Sequence, residues 1–134
     1  MSFQKITVNT SKRTDIIDIT SEINSVLSKS GVSEGICKVY VPHTTAAVTI
    51  NENADPAVIK DIITILDEKV PRNHPEYRHG EGNSAAHIKS SLMGASSDII
   101  ISGGSLQLGT WQSVFLCDFD GPRSRSVWIK IIKG

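Results

Sequence analysis

The placement of the β-branched runs constrains this chain more than any other feature. Short Ile- and Val-rich stretches lie at both ends, with helical patterns between them. FQKITVNT alternates apolar and polar residues and IIDI follows after the polar SKRTD, so two short strands joined by a turn are expected. GICKVYV at 35–41 and AAVTI at 46–50 read as two more. The last third is denser still: SDIIIS, a GGS turn, LQLGTWQSVFLCDF, a DGPRS turn and SVWIKII. Strands clustered at both ends predict an α+β fold: a largely antiparallel sheet or sandwich with two to three helices. A parallel βαβ order does not fit. There is no GxGxxG or Walker-type loop, and Gly103-Gly104 reads as a hairpin turn.

Helix signals are local and specific. Thr20 is placed to N-cap a helix over 21–29, with Ile23, Val26 and Leu27 on one face and Gly31 closing it. Asp55-Pro56 opens the clearest helix, an acidic N-cap before proline at the first helical position. Ile59, Ile62, Ile63 and Leu66 recur at helical spacing, and Pro71 marks the stop. PRNHPEYRHGEGN, from Pro71 to Asn83, is a polar loop, and its composition fits an ordered or a mobile one equally. A short helix over 85–92 follows, capped by Asn83 or Ser84 and ended at Gly94.

At 134 residues the chain is one domain, 1–134, and far below the ~250 residues of a (β/α)8 barrel. A 39% hydrophobic content is enough for a core, and 21% charge is too little for a disordered chain. Fourteen Lys+Arg balance fourteen Asp+Glu, so no net field steers the chain to nucleic acid or an anionic membrane. The same neutrality permits self-association. Cys37 and Cys117 sit in apolar surroundings without CxxC spacing and read as buried thiols. No apolar run approaches the ~20 residues of a membrane span and MSFQKITVNT has no signal-peptide core, so a soluble cytoplasmic protein is expected.

Three histidines have company that invites chemistry. His43 opens HTTAA between two strands, and His79 and His87 flank GEGNSAA with Glu81 and Asn83 between them. A lone histidine is most often a surface or capping residue, and His79-x7-His87 is not a standard zinc spacing. A metal site stays open beside that plain reading. His74 is left as a solvated loop residue. Glu52 and Asp55 fit a helix N-terminus, Asp120 before Gly-Pro fits a turn, and Asp118 can project from its strand into a pocket. Anion donors are available in Thr44 and Thr45, in Lys89 with Ser90 and Ser91, in Arg123 and Arg125, and in the helix start after Asn83. Trp111 fits the core or a stacking surface, the core being favoured.

Taken in order, HTTAAVTINENADP, YRHGEGNSAAHIKSSLMG and GGSLQLGTWQSVFLCDFDGPR resemble the YjbQ-type family, which carries the name secondary thiamine-phosphate synthase enzyme. The resemblance runs from about Val41 to the C-terminus. It implies a compact α+β subunit assembled as a homotrimer, and a pocket where His43, His79 and His87 converge on a divalent metal, zinc by preference. Glu81, Asn83, Gln107, Thr110, Trp111, Gln112 and Arg123 would line or support it, with Thr44 and Lys89 among the substrate contacts. The implied reaction joins hydroxymethylpyrimidine diphosphate to a thiazole phosphate, releasing pyrophosphate. Magnesium would suit that leaving group, whereas three imidazoles suit zinc. Under an enzymatic reading Glu81 is the candidate general acid/base, with His87 also catalytic. Two other functions stand beside it: a module that binds or senses a phosphorylated metabolite without turnover, and a zinc-dependent hydrolase of a phosphorylated small molecule.

Overall fold

Which faces of each strand are apolar decides how the layers stack. The computed structural model describes residues 2–134. In it β1 (Gln4–Asn9), β8 (Ser124–Lys133), β3 (Gly35–Tyr40), β5 (Ser96–Ser102) and β6 (Ser105–Leu106) lie side by side in that order. A smaller sheet runs β2 (Asp15–Asp18), β7 (Gln112–Asp118), β4 (Ala46–Glu52), and all the pairings are antiparallel. Val8, Cys37, Val39, Ile99, Ile101, Val127, Ile129 and Ile131 of the larger sheet meet Ala46, Val48, Val114 and Leu116 of the smaller one. Ile23 and Leu27 of α1 (Thr20–Ser30) join that core.

The opposite face of the smaller sheet is buried as well. Ala47, Phe115, Cys117 and Phe119 pack beneath α2 (Pro56–Lys69) and α3 (Ser84–Met93), meeting Ile59, Leu66, Ala86 and Met93. A strand covered on both faces reads as a continuous apolar run instead of an alternating one. That explains VFLC in β7. The α+β architecture, with three helices among the described residues, follows from these layers.

Local chemistry sets the boundaries. Asp55 accepts a hydrogen bond from Ala57 N–H and so caps α2. Gly31 ends α1 at φ 68°, a conformation open to glycine at no steric cost. Gly103 and Gly104, at φ 58° and 77°, form the two-residue turn between β5 and β6, as GGS suggests. LQLGTWQSVFLCDF, in contrast, is not one strand. Between β6 and β7 the Gln112 side chain accepts from Gly109 N–H, and Gln112 N–H donates to Gly109 O, closing a turn at the GTWQ sequence.

Two cap assignments are corrected at the side chain. Thr20 does not cap α1 with its side chain: its Oγ1 accepts from Val114 N–H across to β7, while Asp18 accepts from Thr20 N–H. Asn83 does stand at the N-cap position of α3, but its side chain makes no capping bond: its amide donates to Asp120 and its Oδ1 stays unpaired. Trp111 is not a core residue either; it is 64% exposed beside the GTWQ turn. The 71–83 loop is tied down by Tyr77, whose hydroxyl donates to Pro71 O and whose N–H donates to His74 O. Among the described residues no helix is long and apolar enough to cross a membrane.

Candidate functional site

The chain leaves β7 in one sheet and enters β8 in the other, and that crossing assembles a buried polar network. Asp118 ends β7 with no exposed surface, and Arg125, near the start of β8, is 3% exposed. Arg125 Nη2 donates to Asp118 Oδ1 at 2.7 Å and to Thr45 Oγ1 at 2.8 Å. Asp118 also accepts from the Thr10 hydroxyl at 2.7 Å and from Asp120 N–H at 2.9 Å. Burial pushes the Asp118 carboxyl up, but the bonds from Arg125, Thr10 and Asp120 outweigh it and hold the pKa below the ordinary value. Arg125 Nε is buried without a partner.

Two members of this network, Arg125 and Thr45, line a cleft of about 550 Å³ together with His43, Thr44, Arg123, Trp128, Tyr40 and Pro42. His43 lies between β3 and β4, where its Nε2 accepts from Ser126 N–H at 2.9 Å. An imidazole nitrogen that accepts leaves the ring proton on the other one, so neutral His43 carries N–H at Nδ1. Burial, followed by the nearby Arg125 cation, lowers its pKa from 6.5 and favours that neutral form. Arg123 is anchored by Asp120, donating from Nε to the backbone oxygen and from Nη2 to Oδ2.

Linkage to folding follows from these two groups. His43 and Asp118 both have folded pKa values below their ordinary values of 6.5 and 3.8, so the unfolded chain takes up each proton first. Their stabilisation is complete above 6.5, falls as the pH drops through the folded value of His43, and falls again below 3.8 toward that of Asp118. Urea midpoints followed through an acid titration should show both losses. In His43→Gln, whose amide oxygen still accepts from Ser126, only the lower should remain; an unchanged upper loss would exclude His43 as its source.

The other expected site residues are dispersed. His79 and His87 meet edge to face, their ring centroids 5.1 Å apart, and Glu81 Oε1 lies 3.8 Å from His79 Nε2, with the Glu81 side chain 76% exposed. Lys89 is buried on α3, ion-paired with Asp67. Gln107 donates to Ser102 O and Ser105 O, tying the β5–β6 hairpin, and with Thr110, Trp111 and Gln112 it lies outside the cleft lining. Arg125 and Asp118 form the most buried ion pair of the site. The sequence presents the two residues separately, as an anion donor and a strand-end acid, with no sign that they meet.

A zinc or other metal centre of three histidines is corrected by this geometry. Among the described residues no three His, Cys, Asp or Glu side chains are grouped so as to hold a metal ion. Neutral His43 already uses its lone pair on Ser126 N–H, which leaves none for a metal. The residues do not fit that group. Cys37 and Cys117 are no substitute: both are buried and free, and burial raises their pKa values to about 11 and about 12.

The fold that holds this site is shared with known proteins. The chain belongs to the family described as UPF0047 protein YjbQ-like, which matches residues 4–134. It is 54% identical over 128 residues to UPF0047 protein MJ1081 of Methanocaldococcus jannaschii, covering 96% of this chain and 92% of that one. UPF0047 protein YugU of Bacillus subtilis is 50% identical over 125 residues, with 93% and 95% covered. A crystal structure of a YjbQ/UPF0047 family protein from Clostridium acetobutylicum superposes with a TM-score of 0.94 at 51% identity, covering 96% of this chain and 99% of that one. The Aeropyrum pernix protein APE1520 gives the same TM-score at 37% identity with both chains fully covered. These family and protein names carry neither a thiamine-phosphate synthase or transferase activity nor zinc, so those expectations are withdrawn.

Proposed function

We propose that the cleft beside His43 binds a phosphorylated small molecule and that the protein acts by binding it, without turnover. The observation that carries this reading is Arg125, a buried guanidinium that lines the cleft beside a second one, Arg123. Arg123, the Thr44 hydroxyl and the neutral His43 ring add donors around the same space. Guanidinium groups suit phosphate because their planar fork matches two oxygens at once. Turnover is disfavoured because the His43 acceptor nitrogen is taken by Ser126 N–H and the Thr45 hydroxyl is bonded to Arg125. Neither supplies a free base or an activated nucleophile. The working unit is taken as a homotrimer in the cytoplasm: exposed Ile65, Leu92, Ile100 and Trp111 offer apolar contacts, and the two free thiols suit a reducing compartment.

Thermal shift and calorimetry with a panel of phosphorylated metabolites test this directly. The wild-type protein should be stabilised by at least one compound, and Arg123→Gln should weaken that binding about tenfold by removing one charged fork. Chromatography of the same mixtures should recover the compound unchanged. Product that disappears in His43→Gln would replace binding with catalysis, and a panel without any binder would refute the reading. Light scattering on the same samples should give three times the chain mass.

A further inference from the structure

A second cleft, of about 470 Å³, is lined by Arg13, Arg72, Lys89 and Asp67, together with Asn83 and Phe119. We infer that it is an oxyanion site in its own right, built to take a phosphate group. Its cations come from three separate parts of the fold: Arg13 from the β1–β2 connection, Arg72 from beyond α2, and Lys89 from α3. Convergence of three like charges is unfavourable unless something negative lies between them. The counter-charge available is small. Asp67 meets Lys89, and Asp120 meets Arg13 at 3.4 Å while also holding Arg123, so the cleft keeps an excess of positive charge. Among the described residues Arg72 has no ion-pair partner inside the cleft.

Lys89 is the least expected member. It is 5% exposed, and an ammonium has three N–H donors to satisfy. Asp67 accepts one of them, and the Phe119 ring lies 5.9 Å away. The Asp67 side chain is itself 57% exposed, so water screens much of its charge. A long side chain of this kind ordinarily runs its head out to solvent. Here the head is held inside.

The start of α3 points to the same ligand. Asn83, which ought to cap this helix, spends its amide on Asp120, leaving its own Oδ1 buried and unpaired. Ala85, which lines the cleft, has an N–H that finds no acceptor among the described residues. Free N–H groups at a helix start carry about half a positive charge and favour an anion. Asp120 thus joins the two clefts: it holds Arg123, which lines the first, and Arg13 and Asn83, which line the second.

Gly82 makes the second cleft testable. It lines the cleft at φ +73°, which Asn and Asp adopt more readily than other residues, and a Cβ there would meet nothing within 4 Å. Inorganic phosphate is the probe, titrated calorimetrically and by phosphorus NMR into the full-length protein. Wild type should bind two phosphates. Gly82→Asp and Arg72→Gln should each weaken one of them about tenfold by changing the charge of the cleft, while Gly82→Asn, of the same shape as Asp, should keep both. Arg123→Gln should weaken chiefly the other, with a smaller effect on the second cleft through Asp120. Phosphate binding unchanged by Gly82→Asp and Arg72→Gln would overturn the second site even if Arg123→Gln abolished binding, leaving the first reading intact. Binding lost in those two variants and untouched by Arg123→Gln would support the second site and refute the first.

Discussion

Replacing Asp118 with alanine is expected to cost about 3–5 kcal/mol of folding stability, the range for removing one partner of a buried ion pair. The cost arises chiefly from what is left behind. Arg125, 3% exposed, would lose its carboxylate partner, the Thr10 hydroxyl would lose an acceptor, and so would Asp120 N–H. At 3% exposure, on the wall of the His43 cleft, the orphaned charge would regain only a fraction of its hydration. Asp118→Asn should cost less, since an amide oxygen still accepts from Asp120 N–H. Urea unfolding measures both. A double-mutant cycle with Arg125→Met separates the pair from its surroundings: the double variant should be more stable than Asp118→Ala alone, because it buries no orphan charge. If Asp118→Ala unfolds near the wild-type midpoint, the network is not what locks the crossing.

Sequence pattern reached the elements more easily than the site, for a physical reason. Helix α2 announced itself through Asp55-Pro56, where cap and first turn are adjacent in the chain, and the structure has that cap. The Gly103-Gly104 hairpin was equally legible, because its turn conformation needs glycine locally. Partners distant in sequence were not. Thr20 looks like a cap, yet its hydroxyl serves Val114, 94 positions away, and Asn83 stands at its cap position with its amide turned to Asp120, 37 positions away. The three histidines suffered most. Histidines near strand ends suggest convergence, but the lone pair of His43 is committed to Ser126 by a backbone contact that no side-chain spacing encodes. The cationic residues Lys89, Arg123 and Arg125 were visible as anion donors, while their division between two clefts depends on which face of β7 each helix and strand covers.

Gly121→Ala is expected to be the other large loss, about 3 kcal/mol, at the upper end for overpacking a fitted site. Gly121 sits in the turn that carries the chain from β7 to β8, and its N–H donates to Arg13 O. A Cβ there would lie 2.3 Å from Lys12 O, 2.7 Å from Thr10 Oγ1 and 2.9 Å from Asp118 Oδ2. The first of these contacts is backbone and cannot rotate away. The other two are the partners of the Thr10–Asp118 hydrogen bond, so relief of the clash would separate them and loosen the acceptor of Arg125. Two readouts should therefore move together: a lower urea midpoint, and weaker phosphate binding at the cleft containing Arg123 and Arg125. Phosphate binding at the cleft around Lys89 should change less, because Arg125, whose acceptor the clash displaces, does not line it. A variant that folds with wild-type stability would mean that the turn can open without disturbing Asp118. Loss of stability with both phosphates bound as before would separate the crossing from the first cleft, and Arg125 would then be a structural cation only.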